Sequence, residues 1–190
     1  MPLISIRGSR IDSMTVFPSH TDDIAHARSL IRTIQDYPQP GVAFRDITPL
    51  LADRRAMHAI TQQLLAQMPV SFDVVAGIEA RGFVFAGAVA ALAKTGMIPI
   101  RKAGKLPKPA YRVTYAKEYG EDQLEVSPDL KPGMRVLLID DILATGGSLK
   151  AGVDLVTAVG AEMVGVGVVL ELEGLGGRSV MPQTRALFSM

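Results

Sequence analysis

Two adjacent carboxylates followed by a loop of small residues give this sequence its strongest chemical signal. The segment is DDILATGGS, residues 140–148, and it directly follows the run RVLLI. Backbone N–H groups of such a loop can approach a phosphate closely, and the dipole of a following helix favours the negative charge. Asp140 and Asp141 cannot bind phosphate, but they can accept hydrogen bonds from the two neighbouring hydroxyls of a ribose. The segment therefore predicts a sugar-phosphate site, with the phosphate held by Ala144, Thr145, Gly146, Gly147 and Ser148.

A purely structural interpretation of the same segment is also available. In it, the acids turn the chain and cap the helix, while Gly146 and Gly147 make a tight turn. Two carboxylates at the end of a buried strand favour the binding site instead, because buried charges need partners. The loop is not a nucleoside-triphosphate P-loop, since no Gly-Lys-Ser or Gly-Lys-Thr closes it, and no dinucleotide fingerprint is present.

The elements that position this loop are predicted to form a mainly parallel sheet. In an open parallel sheet, ligands bind at the carboxyl ends of the strands, where loops and helix N-termini converge. Two strand–helix–strand units are predicted, each a right-handed parallel crossover. Because the strands are continuously apolar, helices should cover both faces of a twisted sheet, which is an α/β fold. The predicted strands are 72–78, 97–101, 135–139 and 163–171, and the helices between them are 82–96 and 149–159.

The N-terminal part of the chain is predicted to contain an extension and two helices. Residues 1–20 have no hydrophobic period and suggest a loose extension, which leaves 21–190 as a single domain. A helix is predicted over about 21–35, because its first turn is acidic and its apolar residues fall on one face. A second helix is predicted over about 54–67, ending before a proline.

Two further segments do not fit regular helix. Residues 37–49, YPQPGVAFRDITP, contain three prolines and a glycine, so we predict a shaped loop that forms a small N-terminal hood over the site. Residues 111–126 are rich in tyrosine and charged residues, which predicts a flexible extended arm or a hairpin over the surface.

The composition excludes several classes of protein. Lys+Arg 20 against Asp+Glu 19 gives a formal charge of +1, so no global field would recruit nucleic acid or a membrane surface. The absence of cysteine excludes disulfides and thiolate metal sites.

The most apolar stretch leaves an uncharged run of eleven residues, 83–93, whereas a membrane-spanning helix needs roughly 20. No secretory signal is recognisable, so we expect a cytoplasmic protein. His20, His26 and His58 lack the spacing of a metal cluster.

Several motifs in one order resemble a known enzyme family. Residues 136–148 are similar to the phosphoribosyl diphosphate signature of the phosphoribosyltransferases, with four apolar residues, two acids and a TGGS loop. The resemblance covers about residues 24–188 and implies the type I phosphoribosyltransferase fold. It also implies purine salvage, in which adenine and phosphoribosyl diphosphate give AMP and diphosphate. The segments that resemble the adenine phosphoribosyltransferases in particular are YPQPGVAFRDITP at 37–49, GIEARGF at 77–83, IRKAGKLP at 100–107 and YAKEYG at 115–120.

The resemblance assigns the diphosphate to Arg81, Arg101, Lys102 and Lys105. The last three stand at a predicted strand end, where they could neutralise the leaving group, although an ordinary solvated basic turn has the same composition. We expect Mg²⁺ to arrive with the diphosphate rather than to occupy a dedicated protein site, since hard oxygen ligands suit this ion. A homodimer is also implied, with the arm and the basic turn near the subunit contact.

For the base, the resemblance implies a flat apolar slot with hydrogen-bonding groups at its edge. Phe44 would stack on one face of adenine, and Ile142 would pack on the other. The backbone around Ala43 and Arg45 would then read the edge of the base. Phe44 is equally compatible with a plain core aromatic.

Two residues of the arm are assigned catalytic roles by the resemblance. Glu118 would manage the proton on a ring nitrogen of the base, and Tyr119 would help to close the arm over the site. Closure would exclude water from a reactive ribosyl cation. A solvated surface glutamate is the alternative interpretation of Glu118.

Two rival functions remain open at the level of the sequence. The first is a related transferase for another base, such as xanthine or orotate, against which the segments GVAFRD and RKAGKLP argue. The second is a regulatory protein that keeps the fold as a ligand sensor and binds nucleic acid. The roughly twenty residues before Thr21 are too few for a winged helix, and the net charge gives no support to that function.

Overall fold

The protein is described from a computed structural model that covers residues 21–69, 71–117 and 120–190. In this part of the chain, a main sheet has seven strands and a small antiparallel sheet has two. The strands are β1 (Arg32–Ile34), β2 (Phe44–Asp46), β3 (Val74–Ile78), β4 (Gly96–Lys102), β5 (Tyr111–Lys117), β6 (Gly120–Val126), β7 (Arg135–Leu143), β8 (Glu162–Glu171) and β9 (Arg185–Ser189). The helices are α1 (Thr21–Ser29), α2 (Thr48–Ala52), α3 (Arg54–Ala66), α4 (Gly82–Ala93), α5 (Gly147–Val159) and α6 (Gly177–Val180).

The main sheet is parallel at its centre and antiparallel at one edge. Its strand order is β5-β6-β4-β3-β7-β8-β9. The strands β4, β3, β7, β8 and β9 run parallel, whereas β6 is antiparallel to both β4 and β5. Helix α4 connects β3 to β4, and α5 connects β7 to β8. Both predicted crossover units, and with them the predicted α/β fold, are therefore confirmed.

Helices cover both faces of the sheet, as the continuously apolar strands predict. Successive side chains of a strand point to opposite faces, so Leu138 packs in the cluster of α5, whereas Leu137 packs in the cluster of α3 and α4. Ile60 of α3 and Phe85 of α4 are fully buried on that second face. Each such side chain contributes about 1.5–3 kcal/mol by leaving water. This burial on both faces fixes the strand ends at which the polar residues lie.

The first helix is shorter than the sequence predicts. It ends at Ser29 instead of near residue 35, and Arg32–Ile34 forms β1. The prediction was wrong because the apolar spacing continues past the helix, whereas Thr33 and Ile34 are β-branched and favour extended backbone. Strand β1 is completed by antiparallel pairing with β2, in which Ile34 lies opposite Phe44.

The hood and the arm have defined structures. The 37–49 segment turns back on itself, with the Tyr37 N–H donating to the Val42 carbonyl, and then forms β2. The predicted extended arm is the hairpin of β5 and β6, in which Tyr111 lies opposite Val126. Both segments approach the carboxyl ends of the parallel strands, because each contributes a side chain to the same cavity.

Some elements were not predicted, and some predictions fall on residues that are not described. The edge strand β9 and the short helices α2 and α6 lack a long hydrophobic period of their own, so the sequence did not indicate them. The predicted N-terminal extension, residues 1–20, lies outside the described residues. Among the helices that are described, none is long and apolar enough to cross a membrane.

Candidate active site

A cavity of about 430 Å³ lies at the carboxyl ends of β3, β4 and β7. Segments that are far apart in the sequence meet there. Its polar wall comes from the end of β3, the end of β4, the end of β7 and the loop that precedes α5. The predicted site residues that line it are Phe44, Arg81, Lys102, Asp140, Asp141, Ile142, Ala144, Thr145, Gly146, Gly147 and Ser148.

The paired carboxylates are the most buried polar groups of the cavity. Asp140 is 8% exposed and Asp141 is 7% exposed. The Asp141 backbone N–H donates to Asp140 Oδ1 at 2.9 Å. Burial, and after it the charge of Asp141, raise the pKa of Asp140 well above its ordinary value. Asp140 fits at the start of α4 because Gly82 has no side chain, since a Cβ there would lie 2.5 Å from Asp140 Oδ1.

Arg81 sits beside the second carboxylate. Its Nε lies 2.6 Å from Asp141 Oδ2, which makes an ion pair. The same oxygen has no hydrogen-bond partner, so the attraction comes from proximity and not from an aligned N–H. The Arg81 side chain is 42% exposed, whereas that of Asp141 is 11% exposed. The Asp141 carboxylate is therefore held at the wall of the cavity by a partly exposed guanidinium.

The small-residue loop leads directly into α5, a helix of 13 residues. Gly146 caps this helix in the left-handed region at φ 86°, which favours glycine. The loop packs on the backbone of α6, because a Cβ on Gly177 would lie 2.1 Å from the Ala144 carbonyl oxygen. On the other side, Ser148 Oγ lies 3.5 Å from the hydroxyl of Tyr115. The helix N-terminus and the loop together provide the environment that an anionic group prefers.

In the basic turn after β4, one side chain faces the cavity and another contacts a neighbouring carboxylate. Lys102 lines the cavity, and its Nζ lies 3.9 Å from Asp122 Oδ2. Arg101 and Lys105 do not line it. Arg101 instead donates to the carboxylate of Glu79 through Nε and a terminal nitrogen, both at 3.3 Å. Of the four residues predicted to hold the diphosphate, Arg81 and Lys102 reach the cavity in this structure.

The apolar part of the cavity contains Phe44 and Ile142. Phe44 is half-buried, and the ring of Tyr37 packs edge-on against it with centroids 5.2 Å apart. This arrangement differs from that of a core aromatic. The side chains of Ala43 and Arg45 do not line the cavity, and Arg45 hydrogen-bonds Thr33 across the small sheet.

Sequence reasoning missed several cavity residues. Leu172 follows β8, so the rule that ligands bind at carboxyl ends of strands could have found it. Tyr115 is the first residue of the arm motif YAKEYG, and it also lines the cavity. Glu79 precedes Arg81, is joined to Ala80 by a cis peptide bond, and also contributes to the wall.

The two predicted catalytic residues, Glu118 and Tyr119, lie outside the described residues. Their flanking positions, Lys117 and Gly120, are paired across the end of the β5–β6 hairpin. The roles of both residues stay predictions. Within the described ranges, no three acidic, histidine or cysteine residues are grouped as a metal site would require.

Comparisons with known proteins agree with this geometry. The model of the phosphoribosyl transferase domain family matches residues 47–182. The chain is 50% identical over 153 residues to adenine phosphoribosyltransferase of Symbiobacterium thermophilum, covering 80% of this chain and 90% of that protein. It is 54% identical over 153 residues to the enzyme of Clavibacter michiganensis subsp. michiganensis, covering 80% and 86%.

Solved structures give the same result at the level of the fold. The adenine phosphoribosyltransferase of Thermoanaerobacter pseudethanolicus superposes with a TM-score of 0.82 at 35% identity, covering 88% of this chain and 99% of that chain. The enzyme of Giardia lamblia in complex with 9-deazaadenine also has a TM-score of 0.82 at 35% identity, covering 88% and 97%.

Proposed function

The chain belongs to the adenine phosphoribosyltransferases of the phosphoribosyl transferase family, and we propose that the cavity at the strand ends is its active site. The enzyme is a pentosyltransferase of purine salvage that converts adenine and phosphoribosyl diphosphate to AMP and diphosphate. One observation carries the site assignment. Paired carboxylates, an anion-binding loop, two basic side chains and an apolar slot line a single cavity.

We propose that the ribose phosphate lies between the carboxylates and the loop. Asp140 and Asp141 accept hydrogen bonds from the ribose hydroxyls, which is supported by their position side by side in the wall of the cavity. The 5′-phosphate binds the backbone of 144–148 at the N-terminus of α5. Ligand hydroxyls would add to the partners that the pair already has, which are the Asp141 N–H for Asp140 and the Arg81 guanidinium for Asp141.

The diphosphate is assigned to the basic residues, of which Arg81 and Lys102 line the cavity. Mg²⁺ prefers hard oxygen ligands, which the diphosphate itself supplies, so the ion would arrive with the substrate and would contact Asp140 or Asp141 through water. Bound there, Mg²⁺ would add positive charge to the leaving group. The assignment of Arg101 and Lys105 rests on the sequence motif.

The base is assigned to the slot between Phe44 and Ile142, with the backbone of Ala43 and Arg45 at its edge. This assignment is supported by the position of the two apolar side chains in the cavity. Glu118 is assigned to the ring-nitrogen proton, and Tyr119 to closure of the arm. Both of these roles come from the resemblance of the YAKEYG segment.

The proposed reaction is a displacement at the anomeric carbon. The bond from this carbon to the diphosphate oxygen breaks, and its electron pair leaves with the diphosphate. A bond forms from adenine N9 to the same carbon, and N9 gives up its proton to Glu118, the residue assigned to it. Positive charge develops on the ribosyl group, where the carboxylates stabilise it, while Arg81 and Lys102 stabilise the departing negative charge.

An assay with a set of bases tests this function. Adenine with phosphoribosyl diphosphate and Mg²⁺ should give AMP, whereas hypoxanthine, guanine, xanthine and orotate should react far more slowly. Turnover of another base without adenine would replace the substrate assignment. DNA binding without any AMP formation would favour the regulatory function. A homodimer and a cytoplasmic location remain part of the proposal.

A further inference from the structure

Glu125 is a fully buried carboxylate that has no role in the proposed reaction. Its exposed fraction is 0%, and it does not line the cavity. It lies on β6, opposite Arg101 of β4 and opposite Arg112 of β5. A buried charge must be compensated by hydrogen bonds or by an ion pair, so its partners indicate what it does.

The partners of Glu125 belong mostly to the basic turn that follows β4. Glu125 Oε1 accepts hydrogen bonds from the backbone N–H groups of Lys105 at 3.0 Å and Leu106 at 2.8 Å. Its Oε2 accepts one from a terminal nitrogen of Arg112 at 3.0 Å. Burial alone would raise the pKa of Glu125, but these donors lower it on balance, which keeps the carboxylate ionised. One side chain thus fixes the far end of the turn.

A second carboxylate fixes the near end of the same turn. Glu79 Oε2 accepts the Lys102 backbone N–H at 3.0 Å, and the carboxylate also pairs with the Arg101 guanidinium. Arg101 then donates to the Lys105 carbonyl at 3.0 Å, which links the two ends. Three backbone N–H groups, one backbone carbonyl and one arginine side chain of the turn are therefore fixed. Lys102, whose N–H is one of these groups, lines the cavity.

We propose that Glu125 is a positioning residue for diphosphate binding: it holds the far end of the turn, and the Arg101 link to the Lys105 carbonyl transmits this constraint to the near end, where Lys102 lines the cavity. Preorganisation of this kind saves the entropy of ordering a loop when an anion binds. The inference rests on the proposed function and adds one residue that supports diphosphate binding. A merely structural role would affect stability and both substrates alike, whereas a positioning role affects the diphosphate-bearing ligands selectively.

The test compares Glu125→Gln and Glu125→Ala with the wild-type protein. Alanine removes the carboxylate that three donors share, so KM for phosphoribosyl diphosphate and Ki for diphosphate should rise about 10-fold or more. Glutamine keeps an oxygen for the two N–H groups and loses the charge, so a rise of about 3-fold is expected. KM for adenine should change by less than about 2-fold in both variants. The control is Glu162→Gln, an exposed acid at the amino end of β8 that should change none of these constants.

Circular dichroism and thermal unfolding show whether each variant is folded. If the alanine variant does not fold, the glutamine variant alone is used for the test. Unchanged constants for both diphosphate-bearing ligands in a folded variant would overturn the inference. An equal rise for adenine would overturn it as well, since that result means general loosening. Calorimetric binding of inorganic diphosphate needs no turnover. Weaker binding of diphosphate by Glu125→Gln would therefore support the positioning role even if the wild-type protein formed no AMP. The absence of AMP formation would refute the proposed function and leave the positioning role standing.

Discussion

Asp140 combines a proposed binding role with an environment that disfavours its charge. Its folded-state pKa is raised above the ordinary value of 3.8, first by burial and then by Asp141. The resulting contribution to stability is complete below that value, and it is lost as pH rises through the folded pKa. As pH rises above 3.8, the cost of ionising the buried Asp140 carboxylate therefore lowers the stability of the fold.

We predict that Asp140→Asn stabilises the fold at neutral pH and removes most of the activity. Asparagine does not ionise, and its side-chain oxygen can still accept the Asp141 N–H. Urea unfolding between about pH 5 and 8 should show a smaller loss of stability with pH in the variant than in the wild type. Because the charge is lost from the transition state, kcat/KM should fall about 100-fold or more. Equal pH slopes, or normal turnover, would contradict this account of Asp140.

Gly177 supports the phosphate loop through its missing side chain. A Cβ at this position would lie 2.1 Å from the Ala144 carbonyl oxygen, so Gly177→Ala must displace the loop or α6. We expect KM for phosphoribosyl diphosphate to rise about 10-fold, because phosphate binding depends on the geometry of the loop backbone. Gly96→Ala is the matched control, since its Cβ would meet only Val74 at 3.9 Å. Similar steady-state constants for the two variants would show that the contact does not shape the loop.

At the scale of elements, the small sheet of β1 and β2 presents Phe44 to the cavity. Stacking of a base on an aromatic ring is worth about 1–3 kcal/mol. Phe44→Ala should therefore raise KM for adenine by about 10- to 100-fold, with little change in KM for phosphoribosyl diphosphate. Tyr37→Phe keeps the ring that packs against Phe44 and serves as the control. A variant that loses affinity for both substrates equally would assign Phe44 to the fold and not to the base.

The sequence predicts the central elements well, because their hydrophobic patterns are strong. The runs 72–78 and 135–139 belong to buried central strands, and their continuous apolar character follows from cover on both faces. The boundary of α1 was mispredicted, since β1 is set by pairing with β2 and not by its own periodicity. Strand β9 is an edge strand of five residues with a weak pattern of its own.

In the candidate site, too, some features can be predicted from the sequence and others require the tertiary structure. The loop 140–148 carries its chemistry in consecutive residues, so the sequence reveals it. The ion pair of Arg101 with Glu79 joins residues 22 positions apart, and its existence depends on how β4 lies beside β3. Pairs of this kind require the tertiary structure, which is why sequence reasoning assigned Arg101 directly to the ligand.

For the whole molecule, charge is nearly balanced, and the proposed anion recognition is local. The formal charge is only +1, yet Arg81 and Lys102 stand together at one cavity. Each of them is also near an acid, with Asp141 close to Arg81 and Asp122 close to Lys102. These two acids partly compensate the positive charge of Arg81 and Lys102 within the cavity wall.

Helix α4 predicts how the whole molecule associates. Its sequence, GFVFAGAVAALA, has no polar side chain, and a helix that is apolar on all sides is normally covered on all sides. In the single chain, however, Val84 is 46% exposed and Ala91 is also exposed. We expect a second copy of the chain to cover this face, in agreement with the homodimer that the family resemblance implies.

We predict that Val84→Glu converts the dimer to a monomer, because a carboxylate in an apolar contact would lose its hydration without a partner. Light scattering after size exclusion should give twice 20.3 kDa for the wild type and 20.3 kDa for the variant. Leu175→Glu is the control, since Leu175 is 49% exposed but lies outside α4, and this variant should stay dimeric. A wild-type mass of one chain would refute the dimer, whereas a dimeric Val84→Glu variant would move the contact to another face of the molecule.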